Sequence, residues 1–273
     1  MKKILVAVDF SEASRKAMDY AAALAKSFNS DIVLLHAFYI PVPMGDAPGY
    51  IPLSLAEVQE ENEALMQREM EYLQGKYGIG AEVYVRYGLA AAAIKELAAE
   101  INAGLVVMGM KGAGKTGGIF GSTVISAIRK AKVPLLIIPE NAEFSFIKHI
   151  SFAADFEERP GTRPYELLEE IAGHFNADVQ VLHVQKSEML MTAGEAAGKI
   201  GTDVLFSGLP HSFHTMVDAD VEKGIGDFIA THPTDLLVMV AHHHNIFERL
   251  FGKEHTKLVA YKTQVPLLVL HDA

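Results

Sequence analysis

The chain has 273 residues, half of them hydrophobic, and a formal net charge of -10 with no Lys/Arg cluster to interrupt the acidic background. That length suits two α/β units of about 135–140 residues, and the charge argues against nucleic acid or an anionic membrane as partner, because both need a basic footprint. Cysteine is absent, which removes disulfides, thiolate nucleophiles and Cys-based zinc sites together and fits a reducing compartment.

The opening, MKKILVAVDF, carries an apolar run that meets Asp9 after five residues, too short for a signal-peptide core. No stretch approaches the roughly 20 apolar residues of a membrane span, so a cytoplasmic location is expected. Strands are predicted at 2–8, 31–37, 81–86, 104–109 and 134–138. They are rich in Val, Ile and Leu and almost continuously apolar, as strands covered on both faces should be. Helices are predicted between them at 12–28, 54–77, 89–102 and 121–131. Ser54 and Glu57 have the spacing of a capping box, with Val58, Leu65, Met66, Met70 and Leu73 marking the buried face and an acidic, solvated face opposite. Such alternation gives a parallel, doubly wound sheet, and five strands is the flavodoxin-like count.

The pattern then repeats. KKILVAVDFSE at 2–12 returns as KHISFAADFEE at 148–158, and SFNSDIVLLHAF at 27–38 as HFNADVQVLHVQ at 174–185. AGLVVMGM at 103–110 returns as TDLLVMVA at 234–241, and VPLLIIPE at 133–140 as VPLLVLHD at 265–272. The reading is an α/β chain of two tandem five-stranded doubly wound domains, 1–140 and 146–273, joined by a linker around PENAEFSF at 139–146. The offset shrinks from 146 (Asp9 to Asp155) to 131 (Gly121 to Gly252), so the second copy is shorter, most simply in the loop matching 38–53.

In such sheets ligands bind beyond the carboxyl ends of the strands. Two segments of the first copy fall there: AVDFS at 7–11 and MGMKGAGKTGGIFGST at 108–123. The second holds six glycines in sixteen residues. Glycines let backbone N–H groups approach an anion, and a helix opening near Gly121 adds free amides and its positive dipole end. With the hydroxyls of Ser122 and Thr123 this reads as a phosphate cradle. Gly109 to Thr116 also satisfies the P-loop pattern of an ATPase or kinase, with Lys115 in the lysine position. A true P-loop needs a helix opening at Lys115-Thr116, and Gly117-Gly118-Ile119-Phe120-Gly121 follows instead, a poor helix interior. No nucleophile–base pair stands out. His36 and His183 lie inside strand runs, where packing or a buried hydrogen bond explains them, and Asp9 also suits a helix N-cap.

The strand–Asp9-Phe10-Ser11-Glu12 opening, the strand ending in LLHAF and the VVMGMKG…FGST segment together resemble the universal stress proteins, once per copy over the whole chain. Their motif is G-x2-G-x9-G-[ST]; here eight residues, 113–120, separate Gly112 from Gly121. The resemblance implies the strand order 3-2-1-4-5 of flavodoxin-like and adenine-nucleotide α-hydrolase-like folds. It implies ATP or another adenine nucleotide as ligand, with Mg²⁺ as its companion ion, and a stress-response or regulatory role with at most weak ATP hydrolysis. Carried over by position, Ala7, Asp9 and Ala37 would face adenine and ribose, with Met108 and Gly109 alongside. Lys111, Gly112, Gly121, Ser122 and Thr123 would meet the phosphates. A Ser-Gly-Gly loop after the first strand, as in ATP-pyrophosphatase-like enzymes, is absent. A scaffold without nucleotide is the remaining alternative.

The second copy has lost the motif. Val240 stands for Gly109, His243 for Gly112, Lys253 for Ser122 and Glu254 for Thr123; only Gly252 survives. Side chains fill the anion's place and Glu254 would repel phosphate, which leaves this half as a structural partner or a different site. His242, His243 and His244 read as a polar loop, not a zinc site, because no acidic ligand sits at helical spacing from them. The fifth strands, Val133–Ile138 and Val265–Leu270, are apolar edges in single domains of this family. They are expected to pair antiparallel as an internal pseudo-dimer, an arrangement compatible with a homodimer.

Overall fold

The computed structural model describes residues 1–40, 54–110, 121–156, 165–185, 191–241 and 265–271. In chain order the first half runs β1 (Lys3–Ala7), α1 (Glu12–Phe28), β2 (Asp31–Phe38), α2 (Leu55–Tyr77), β3 (Ala81–Tyr87), α3 (Ala90–Glu100), β4 (Leu105–Gly109), α4 (Ser122–Lys130) and β5 (Leu135–Ile138). The second runs β6 (His149–Ala153), α5 (Glu166–Phe175), β7 (Asp178–Gln185), α6 (Ala193–Leu205), β8 (His211–Val217), α7 (Val221–Thr231), β9 (Leu236–Ala241) and β10 (Leu267–His271).

These ten strands form one sheet in the order β3-β2-β1-β4-β5-β10-β9-β6-β7-β8. Read inward from either edge, each half gives the order 3-2-1-4-5. The pairings within each half are parallel. That of β5 with β10 is antiparallel, with Leu267, Leu268 and Val269 opposite Ile137, Leu136 and Leu135. The two fifth strands therefore meet antiparallel, as their apolar edges require. Alternate residues of each strand enter opposite cores. Ile4, Val6, Phe152 and Leu268 face one side, Leu5, Val106, Leu237 and Val269 the other, and both cores run through both halves.

Local chemistry sets the helix ends. The Asn of the repeated Phe-Asn pair closes α1 and α5 in the left-handed conformation, at φ 50° for Asn29 and 52° for Asn176. Ser54 is the N-cap of α2, but its side chain makes no capping bond, so the expected box with Glu57 does not form. Both residues are exposed, and water can serve the free amides. A reciprocal box forms instead at α6, where the Thr192 hydroxyl accepts from Glu195 N at 3.2 Å and Glu195 Oε2 accepts from Thr192 N at 2.6 Å. On α2, Met66 and Leu73 are buried and Val58, Leu65 and Met70 half-buried. Its acidic residues are not uniformly solvated: Glu69 is buried and paired with Arg15 of α1.

Aromatic side chains close the seam between the halves on one face. Phe28 and Phe175, equivalent in the two repeats, meet edge-on with centroids 5.6 Å apart, and Ser27 Oγ bonds His174 Nε2 at 2.6 Å. On the other face His271, at the end of β10, donates Nε2–H to the carbonyl of Ile128 in the last turn of α4, at 2.8 Å. Burial pushes the His271 imidazole below its ordinary value of 6.5, opposed by the carbonyls of Ile128 and Val133. The folded state therefore refuses a proton that the unfolded chain accepts. Stability held above about pH 6.5 is lost as pH falls through that value towards the folded pKa. Other groups contribute to the same window, so the test is differential. The unfolding midpoint in urea should fall more between about pH 7.5 and pH 5.5 in the wild type than in His271→Gln, which keeps a donor but does not titrate. Equal slopes would refute the assignment.

Candidate functional site

The carboxyl ends of β1, β2 and β4 and the start of α4 surround a cavity of about 470 Å³. Eight of the ten residues named from sequence line it: Ala7, Asp9, Ala37, Met108, Gly109, Gly121, Ser122 and Thr123. Lys111 and Gly112 lie outside the described residues, as do Lys115 and Thr116 of the P-loop pattern. The walls differ in chemistry. Ala7, Leu35, Ala37, Ile94 and Met108 give an apolar floor; Asp9 and the start of α4 give polar ends.

Asp9 is positioned by the turn after β1. Phe10 takes a positive φ of 62°, uncommon for a bulky residue, and its ring lies on His36 with centroids 4.4 Å apart. His36 in turn donates Nδ1–H to the Val8 carbonyl at 2.8 Å. The second half repeats this device, with Phe156 stacked on His183 and His183 Nδ1 bonded to the Ala154 carbonyl at 3.1 Å. Each histidine is held by ring packing and a buried hydrogen bond, as its strand position suggests. The N-cap of α1 is Ser11, not Asp9: Ser11 Oγ accepts from Ser14 N at 3.1 Å. Asp9 stands one step behind, its Oδ1 accepting from Ser11 N at 3.1 Å and from Ser11 Oγ at 2.5 Å.

Gly109 has a reason other than anion approach. A Cβ built there would lie 2.7 Å from both the carbonyl carbon and oxygen of Ala13, so the glycine lets β4 end against the first turn of α1. At α4, Gly121 is the N-cap, no acidic residue occupies the first turn, and Ile125 N is the first to bond back, to the Gly121 carbonyl at 3.3 Å. The amides of Ser122, Thr123 and Val124 thus precede the helical ladder, at the end of a helix where an anion is favoured.

The corresponding end of the second half is different. Val184 takes the place of Ala37 and Val240 that of Gly109. Val184 fills its space so closely that a Cβ on Gly224 of α7 would lie 2.6 Å from its Cγ1. Acidic residues gather after β8: Asp220 caps α7 through Glu222 N and Lys223 N, and burial, with Asp220 nearby, pushes the Glu222 carboxyl up to about 7. These residues stand where the first half has Leu89 and Ala91, at the start of α3. His242, His243, His244, Gly252, Lys253 and Glu254 lie outside the described residues. Among the described residues no three His, Cys, Asp or Glu side chains come together as metal ligands, and no helix is long and apolar enough to cross a membrane.

Lining residues that sequence reasoning missed include Tyr39, Gly88, Leu89 and Ile94. Leu89 left a trace in the repeat: it occupies the N-cap of α3, where the second copy has Asp220.

Universal stress protein Sll1654 of Synechocystis sp. is 30% identical over 142 residues, covering 50% of this chain and 85% of that relative. Universal stress protein MJ0531 of Methanocaldococcus jannaschii is 27% identical over 141 residues, again 50% of this chain and 81% of the relative. A crystal structure of a universal stress protein from Archaeoglobus fulgidus superposes with a TM-score of 0.73, covering 99% of this chain and 96% of that one at 19% identity, so the fold is shared through both halves. The model of the universal stress protein family matches residues 1–139, and the chain belongs to that family.

Proposed function

We propose that residues 1–140 form a unit that binds ATP or another adenine nucleotide in this cavity. Residues 146–273 form a second unit of the same fold without that ability. Occupancy then serves a regulatory role in the stress response, in the cytoplasm, with little or no turnover. The observation that carries the reading is convergence: residues from four separate segments, around 7–9, 37, 108–109 and 121–123, line one cavity. Its floor suits a flat base, Asp9 can accept from a ribose hydroxyl or a base N–H, and the free amides of α4 suit phosphate. Mg²⁺ would be carried on the phosphates, beside the hydroxyls of Ser122 and Thr123.

Titration calorimetry with ATP and Mg²⁺ is expected to give one site per chain, because Val184 and Val240 stand in the second half where the first has Ala37 and Gly109. Asp9→Asn keeps the shape of the side chain but halves its acceptors, and should weaken binding at least tenfold. Two equivalent sites would overturn the reading of the second half; no binding would overturn the nucleotide assignment in favour of a scaffold. Steady ATP hydrolysis abolished by Lys115→Ala would favour a P-loop enzyme instead.

A further inference from the structure

Two of the most exposed large apolar side chains in the described structure, Tyr39 at 62% and Leu89 at 64%, both line the cavity. Neither belongs to the glycine segment or to the turn after β1. The sheet brings them together: Phe38 and Tyr87 are register partners at the ends of β2 and β3, and Gly88 N bonds the Phe38 carbonyl at 2.8 Å. Tyr39 and Leu89 leave those two strand ends side by side, on the β2–β3 side of the cavity. Helix α4 opens on the other side of β1, after β4.

The backbone at Leu89 breaks local rules. Gly88 takes a φ of 137°, closed to ordinary side chains, and turns the chain into α3. Leu89 then sits at the N-cap with no side-chain cap bond, although leucine is among the poorest residues for that position. The internal repeat supplies the control. In the second half the N-cap of α7 is Asp220, which accepts from Glu222 N at 2.9 Å and from Lys223 N at 3.3 Å. Beside the cavity of the first half, the fold gives up a helix cap and exposes a leucine; in the second half, where Val184 takes the place of Ala37, the ordinary cap is present. Violations of local preference of this kind are expected at functional positions, and paired exposed apolar groups at a cavity mouth mark a surface that a ligand covers.

We propose that Tyr39 and Leu89 form an apolar lip that closes on the base of the bound nucleotide, and that this lip sets the preference for a nucleotide over bare polyphosphate. The proposal rests on the nucleotide reading above. It divides the cavity by chemistry: base under the lip, ribose at Asp9, phosphates at the start of α4. Stacking on an aromatic face and covering by an aliphatic side chain act on the base alone, so losing either should leave phosphate contacts untouched.

The test uses the full chain with two probes, ATP and inorganic tripolyphosphate. Leu89→Ser restores a neutral capping side chain and Tyr39→Ala removes the ring; each should weaken ATP about tenfold and leave the dissociation constant of tripolyphosphate, measured by direct titration, unchanged. Leu89→Ser should also melt no lower than the wild type, because it gains a cap. Tyr39→Phe should bind ATP as the wild type does. The chain has no tryptophan, so Tyr39→Trp provides a single indole, whose emission, excited apart from the tyrosines, should change on saturation with ATP and not with tripolyphosphate. If the wild type binds ATP and both lip variants match it, the lip is overturned and the nucleotide site stands. The same holds if the indole emission of Tyr39→Trp is indifferent to ATP while calorimetry on that variant records binding. If the wild type binds no nucleotide, both fall together.

Discussion

Leu268→Asp is expected to unfold both halves of the molecule in a single transition. Leu268 is fully buried in β10, opposite Leu136 of β5 and beside Val238 of β9. It lies in a core that contains Ile4 and Leu34 of the first half and Phe152 and Val181 of the second. A carboxylate there has no partner and no water, so the penalty should exceed about 4 kcal/mol, at the upper end for a single substitution. That is a large share of the roughly 5–15 kcal/mol that holds most domains together. The location matters as much as the size. β5 and β10 are the central strands of the described sheet and its antiparallel pair, and each would be an exposed apolar edge without the other. Urea unfolding followed by amide signals from Leu34 and Val181 should show both lost at one lowered midpoint. Persistence of native Leu34 signals after Val181 has unfolded would mean that the first half stands without the shared sheet.

Much of this fold is legible because its strands are simple. Each buried strand is a short Val/Ile/Leu run covered on both faces, and the predicted limits differ from the observed ones by a residue or so at most ends. The duplication made the second half readable from the first, and the edge problem at Val133–Ile138 and Val265–Leu270 pointed to the central pairing. What the sequence hid depends on close approach between elements. On α6, Ile200 and Val204 form an apolar stripe that faces solvent, while Gly198 and Thr202 are buried. The inversion follows from Gly198, where a Cβ would come within 2.2 Å of the Phe156 carbonyl oxygen. No periodicity rule anticipates a glycine used as a contact surface. Glu69 is a similar case: its burial depends on Arg15 reaching across from α1, a pairing set by helix packing and invisible in α2 alone.

The site was legible in its polar parts. Asp9 and the Gly121-Ser122-Thr123 start of α4 stand out because acceptors, free amides and glycines have few reasons to sit together at strand ends. Its apolar parts were not. Tyr39, Leu89 and Ile94 look like any other hydrophobic residue until the sheet register puts them around one space. The repeat held the missing signal for Leu89, since Asp220 at the equivalent cap shows the kind of residue that ordinarily closes a helix start.

Gly109→Val should abolish the site and destabilise the first half together. The substitution copies what the second half carries at the same place, Val240, which is buried there without harm. In the first half the nearest atoms to a new Cβ are the carbonyl carbon and oxygen of Ala13, each at 2.7 Å, with the Ala13 Cβ at 3.1 Å. Two of these are backbone, so no rotamer change relieves the contact; β4 or the first turn of α1 must move. Overpacking of this kind costs about 1–3 kcal/mol. The functional loss should be larger in proportion, because the turn that would shift begins at Ser11, which is bonded to Asp9, and the displaced strand end forms one wall of the cavity. A site held by such contacts loses its geometry before the fold loses its integrity. The expected result is a lowered but still cooperative melt, with nucleotide binding weakened at least tenfold even at temperatures where the variant is fully folded. Gly109→Ala should already show part of both effects, since the clash begins at Cβ. A variant with valine at this position that keeps wild-type affinity and melting temperature would mean that the approach of β4 to α1 is looser than 2.7 Å implies, and that Val240 is not what closes the second half.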